Sequence, residues 1–144
     1  MLNKQADRSC GSPRCIQIQQ GEYRLKHNRV LTVASLLSIL FMTFHFTDDV
    51  VRGLSQGGAT ISVAVPILVV WLYGTLVLAE RRAGYVIILV GSLFASAMPI
   101  VHMNGLGSGK ASGFFFVWTL MALGVTSIFS IILSVRGLWS LRRS

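Results

Sequence analysis

Four continuous apolar runs dominate the chain, from about Val30 to Thr47, Ile61 to Leu78, Tyr85 to Val101 and Phe114 to Val135. Each is on the order of 17 to 22 residues long, which at a rise of ~1.5 Å per residue matches a hydrocarbon core of ~30 Å. None contains Asp, Glu, Lys or Arg, so none carries the penalty of a charge at the bilayer centre. The runs are too long and too continuous for barrel strands, which alternate over about ten residues. The pattern predicts an all-α integral membrane protein, four transmembrane helices in an antiparallel up-down bundle.

The polar segments divide the rest. Residues 1–29 are rich in Gln and Arg, are interrupted by Gly11, Pro13 and Gly21, and show no helical or strand period, so they read as a flexible tail. That tail is too long and irregular for the n-region of a cleaved signal peptide. No A-x-A-like site follows the first run, which is therefore expected to remain as a signal anchor. Residues 48–60 (DDVVRGLSQGGAT) and 102–113 (HMNGLGSGKASG) are read as loops, and 79–84 (AERRAG) as a tight turn. The expected organisation is a tail at 1–29, a membrane domain at 30–135 and a short basic tail at 136–144.

Within the runs, small residues at helical spacing mark the faces on which helices approach closely in lipid. On the third helix Gly84, Ile88, Gly91, Ala95, Met98 and His102 share one side, and Gly91 and Ala95 form a small-xxx-small pair. On the first, Ala34, Ser35, Ser38, Met42, His45 and Asp49 form a comparable stripe. The fourth offers Thr126, Ser130 and Ser134 beside Ala122 and Gly124. Such hydroxyls bond the carbonyl one turn back, or hold helices together for under about 1 kcal/mol each. Ser38, Gly84, Gly91 and Ala95 are the packing residues singled out. Pro66 and Pro99 each fall near one end of a run, where they kink the helix or end its hydrogen-bond ladder.

Charge gives the helices a direction. Of 13 Lys and Arg, eleven fall in the N-terminal tail, the 79–84 turn and the C-terminal tail, leaving only Arg52 and Lys110 on the other side. The positive-inside rule then places both termini in the cytoplasm, with Arg29, Arg81, Arg82 and Arg136 as topology anchors. Aromatic residues agree, with Trp139 and Tyr85 near the inner boundary and Trp118 with Phe114–Phe116 near the outer one. Trp71 and Tyr73, inside the second run, read as packing residues whose polar tips neighbours satisfy.

Composition supports the apolar solvent: 53% of residues are hydrophobic and 12% charged, against roughly 25% charged in a soluble domain. The net charge of +8 forms no basic stripe with interleaved aromatics, so nucleic acid is not expected as a partner. Flanking basic residues also meet anionic headgroups. The expected partners are the lipid bilayer and either further copies of the chain or a larger membrane complex. The localisation expected is a multi-pass membrane protein of the bacterial inner, or cytoplasmic, membrane. Cys10 and Cys15 lie in the tail as reduced thiols; their C-x4-C spacing is half of a zinc site with no second pair of ligands.

The residues with the most chemical potential are His45, Asp48 and Asp49 at the end of the first run, and His102 at the end of the third. The topology sets all four on the non-cytoplasmic side. There they cap and pack helix ends, or His45, Asp49 and His102 bind a divalent metal with an open position, or a His–Asp pair senses pH. No other cofactor is expected, because the chain lacks C-x-x-C-H, a glycine-rich phosphate loop and G-x-S-x-G. Glu80 beside Arg81 and Arg82 reads as an interfacial salt bridge.

Three function classes follow. A non-enzymatic accessory or scaffold component accounts for the uncharged spans, the small-residue faces and the lack of a catalytic motif. A small oligomeric transporter or channel is the second. The chain is similar in size to small multidrug transporters, but those rely on a membrane-embedded Glu in the first helix, and none stands there. A metal- or pH-responsive protein using the outer His/Asp cluster is the third.

Overall fold

The computed structural model describes the backbone of residues 13–51, 57–105 and 113–142, and the side chains of 17–19, 21–51, 62–100 and 113–142. Four helices account for nearly all of it, and no strand occurs among the described residues: α1 (Pro13–Val51), α2 (Gly57–Leu76), α3 (Arg82–Gly105) and α4 (Phe114–Arg142). Segments of α1, α3 and α4 are long and apolar enough to cross a bilayer, whereas the apolar stretch Ser62–Leu76 within α2 is shorter. The whole of α2 has 20 residues, or ~30 Å of helix.

The helices overrun the apolar runs. α1 begins at Pro13 rather than Val30, which corrects the reading of 13–29 as irregular; residues 1–12 lie outside the described part. Proline suits a first helical turn, because its missing N–H is one that no carbonyl would have bonded. Beyond it, Gln, Glu, Arg, Leu and Lys are good helix formers despite lacking an apolar stripe. Glu22 and Lys26 pair at 2.7 Å in the favourable i, i+4 order. A helix already nucleated in the apolar run propagates outward through such residues at little cost. α4 likewise extends to Arg142 into the expected basic tail, and α3 to Gly105 and α2 back to Gly57 into the expected loops.

The α2–α3 turn is tight. Arg81 N–H donates to the Leu78 carbonyl (2.9 Å), and Gly84 N–H to that of Arg81 (3.0 Å). A Cβ at Gly84 would collide with the Leu78 carbonyl oxygen, so the turn closes only over glycine.

Packing is most extensive between α3 and α4, then between α1 and α4, while α2 leans mainly on α3. Leu31 and Met42 of α1, Trp71 of α2, Tyr85, Ile88 and Ala95 of α3, and Leu123 and Leu133 of α4 form the apolar core. Two large rings enter only where glycine leaves room: the Trp71 indole lies on Gly91 and the Tyr85 ring on Gly137. Pro66 and Pro99 both lie inside continuous helices, and the Pro99 ring faces Gly124.

The interior is unusually polar for its size. Ser35, Ser38, His45, Thr75, Ser92, Thr119, Ser127, Ser130 and Ser134 are all buried. On α4 the buried line passes through Ser127, with Thr126 only half-buried and bonded back to the Ala122 carbonyl at 2.9 Å. A strict i, i+4 row drifts ~40° per step around a helix, so a contact seam must mix steps of three and four. That corrects the expected line through Thr126, Ser130 and Ser134 at its first member.

Candidate functional site

Polar chemistry collects at two ends of the bundle and at one level between them. At one end lies His45, near the last turns of α1. Its imidazole is completely buried, with ring centroids 5.4 Å from Phe116 and 6.2 Å from Phe46. Helical spacing brings Asp49 over it, and His45 Nε2 stands 3.5 Å from Asp49 Oδ2. Asp48 and Asp49 are both half-buried. An imidazole walled by aromatic rings and facing one carboxylate can hold or pass a proton.

A metal needs more donors. Zinc in a catalytic site takes three protein ligands and in a structural site four. Among the described residues no three His, Cys, Asp or Glu gather around a common point. His102 lies in α3 within Arg82–Gly105, but its side chain falls outside the described residues, and with it the expected ligation shared with His45 and Asp49.

Between the ends, Trp71 Nε1 donates to Ser35 Oγ at 3.0 Å, and Ser35 Oγ and Thr75 Oγ1 share a hydrogen bond of 2.8 Å. Thr75 also donates to the Trp71 carbonyl at 2.9 Å, so α1 and α2 are joined by a closed three-residue network. Sequence reasoning saw Ser35 on a packing stripe and Trp71 as a packing residue, and left their connection unread. The i, i+4 pair Trp71–Thr75 was the available signal. The packing residues named from spacing are all buried: Ser38, whose hydroxyl donates to the Ala34 carbonyl at 3.0 Å, and Gly84, Gly91 and Ala95.

The other end gathers the α1 extension, the α2–α3 turn and the end of α4. Tyr85 donates its hydroxyl to Asn28 Oδ1. His27 Nε2 stands 3.1 Å from the Leu133 carbonyl oxygen and donates to it in the Nε2–H tautomer. Arg136 donates to the Tyr23 hydroxyl at 3.3 Å, and Arg82 to the Leu141 carbonyl at 3.1 Å. Around these bonds lies a cavity of about 520 Å³ lined by Arg24, His27, Asn28, Glu80, Tyr85 and Arg136, among others. Of the basic residues named as anchors, Arg81, Arg82 and Arg136 are exposed at this end, and Arg29 is exposed on α1, at the end of an apolar groove between α1 and α4. This cavity could not be read from the sequence, because all its residues but Tyr85 come from segments read as an irregular tail, a turn and a second tail.

Comparison with known protein families, with characterised proteins and with solved structures finds no match to this chain.

Proposed function

We propose that the protein spans a bilayer with four antiparallel helices, both termini cytoplasmic, and serves there as a non-enzymatic accessory or scaffold component of a membrane assembly. One observation carries the reading: the polar groups are turned inward onto a filled interior, and the outward surface is a field of large apolar side chains. Val33, Leu40, Phe44, Val63, Val90, Phe129 and Ile132 are all among the exposed ones. In water that arrangement is inverted; in lipid it is the expected one.

The alternation of helix direction is supported by contacts between distant segments, such as His27 with Leu133 and His45 with Phe116. The side of the membrane is supported by the gathering of Arg24, Arg81, Arg82 and Arg136 at the end opposite His45. A scaffold role is favoured over conduction because the large side chains of Met42, Trp71, Phe116 and Leu123 occupy the interior, each at most 2% exposed. Conduction requires a wet path or a charged relay, whereas the buried hydroxyls of Ser35 and Thr75 join α1 to α2, and those of Ser38 and Thr119 bond carbonyls of their own helices.

The test is isolation under mild detergent from native membranes. A stoichiometric larger partner, released when bulky polar residues replace Val63 and Val90, is the expected result. A lone monomer that carries ions or cationic dyes into proteoliposomes would sink the scaffold reading in favour of transport.

A further inference from the structure

On the outward side of the α1–α4 contact runs a groove of about 630 Å³, walled by Val33 and Leu37 of α1 and Val125, Phe129 and Ile132 of α4, among others. Its α1 wall extends from Arg29 to Leu37, ~12 Å of helix. One leaflet of a bilayer contributes ~15 Å of hydrocarbon. The groove is therefore about as long as one lipid chain is deep, and it ends where the headgroups begin.

That end is cationic. Arg29 itself lines the groove. On α4, exposed Arg136 follows the groove residue Ile132 by one turn, just beyond the groove's lining, and its guanidinium donates to the Tyr23 hydroxyl of α1 at 3.3 Å within the neighbouring polar cavity. Lys26 is engaged by Glu22 and adds little. Glu80 lines the same neighbouring polar cavity as Arg136. An apolar slot with Arg29 in its lining and exposed Arg136 one turn beyond it is complementary to one kind of molecule, an amphiphile with a negative head.

We infer that this groove is a binding site for an anionic phospholipid, one acyl chain lying between α1 and α4 and the phosphodiester held by Arg29 and Arg136. Arginine suits the role because its planar donors engage two phosphate oxygens at once. The inference rests on the membrane reading above.

The experiment measures both separately. Membrane fractions containing the full chain are first extracted with alkaline carbonate, which leaves spanning proteins in the pellet. The detergent-purified protein is then titrated with dioleoylphosphatidylglycerol, dioleoylphosphatidylcholine or sodium phosphate, and the midpoint of thermal unfolding is followed. Phosphatidylglycerol should bind roughly tenfold more tightly than phosphatidylcholine, because only its headgroup carries a net negative charge for the basic residues to attract. The double variant R29Q/R136Q should lose that preference and R29K/R136K should retain much of it. Nine basic residues remain on the same side in R29Q/R136Q, so its orientation is preserved. Ile132→Trp, which fills the slot and leaves both charges, should weaken phosphatidylglycerol binding too.

Equal binding of the two lipids, a preference that survives R29Q/R136Q, stabilisation by phosphate alone, or a wild-type dimer abolished by Ile132→Trp would each overturn the lipid site. Resistance to carbonate with no lipid preference removes the lipid site alone. Release by carbonate removes the membrane reading with it.

Discussion

At Gly91 the fit between α2 and α3 depends on a missing methyl group. A Cβ there would come within 2.5 Å of a ring carbon of Trp71, which is 2% exposed. The indole has no easy retreat, because withdrawing it breaks its bond to Ser35 and disturbs the Thr75 link beside it. Gly91→Ala should therefore destabilise the bundle by about 1–3 kcal/mol, the usual cost of overpacking. Gly21 is the control, since a Cβ there meets nothing within 4 Å; Gly21→Ala should be neutral or stabilising by up to ~1 kcal/mol. Reversible unfolding in detergent micelles measures both, and equal effects from the two variants would contradict the account. Gly91 was legible from its place on a small-residue stripe. What occupied the space was not, because spacing along one helix carries no information about which residue of another helix meets it. The same limit applies at His45: the i, i+4 relation to Asp49 is written in the sequence, whereas Phe116 arrives from α4.

Helices were easier to find than to delimit. Apolar runs reveal the part of a helix that a membrane or core requires, and their ends mark where the solvent changes, not where hydrogen bonding stops. Residues 17–29 show no apolar stripe, yet α1 continues through them as a mostly exposed helix. Among the contacts that fasten this extension to the bundle are Tyr85 to Asn28, His27 to the Leu133 carbonyl and Arg136 to Tyr23. Of these, Tyr85 is the most consequential, since its ring is buried against Gly137 while its hydroxyl reaches α1. Tyr85→Phe keeps the ring and removes the bond, a loss of about 0.5–1.5 kcal/mol. Because the extension is mostly exposed, the loss should appear locally as amide exchange in residues 21–29 faster by roughly two- to tenfold. Unchanged exchange there would mean that the extension is held by something other than this bond.

For the molecule as a whole, direction is set by where charge is absent. Thirteen basic residues are distributed eleven to two, and the sparse side carries Arg52 and Lys110. Moving basic residues across a membrane is what insertion avoids, so the proposed orientation keeps the dense side in the cytoplasm. The reading can be tested with cysteines, two of which the chain already has. Cys10 and Cys15 report the N-terminal side; in a variant with both changed to Ser, Ser108→Cys reports the α3–α4 connection and Ser144→Cys the C-terminus. In intact cells a membrane-impermeant maleimide should label Ser108→Cys alone. Cys10, Cys15 and Ser144→Cys should react only after permeabilisation. Labelling of both ends in intact cells would invert the bundle and bring His45 and Asp49 to the cytoplasmic face. Labelling of one terminus but not the other would require an odd number of crossings. The helix with the shortest described apolar stretch is α2, so it would then be the one that does not span. An even count is favoured by the turn at 77–81, which returns α3 alongside α2 and lays the Trp71 ring on Gly91. That contact leaves α2 no independent place outside the bundle.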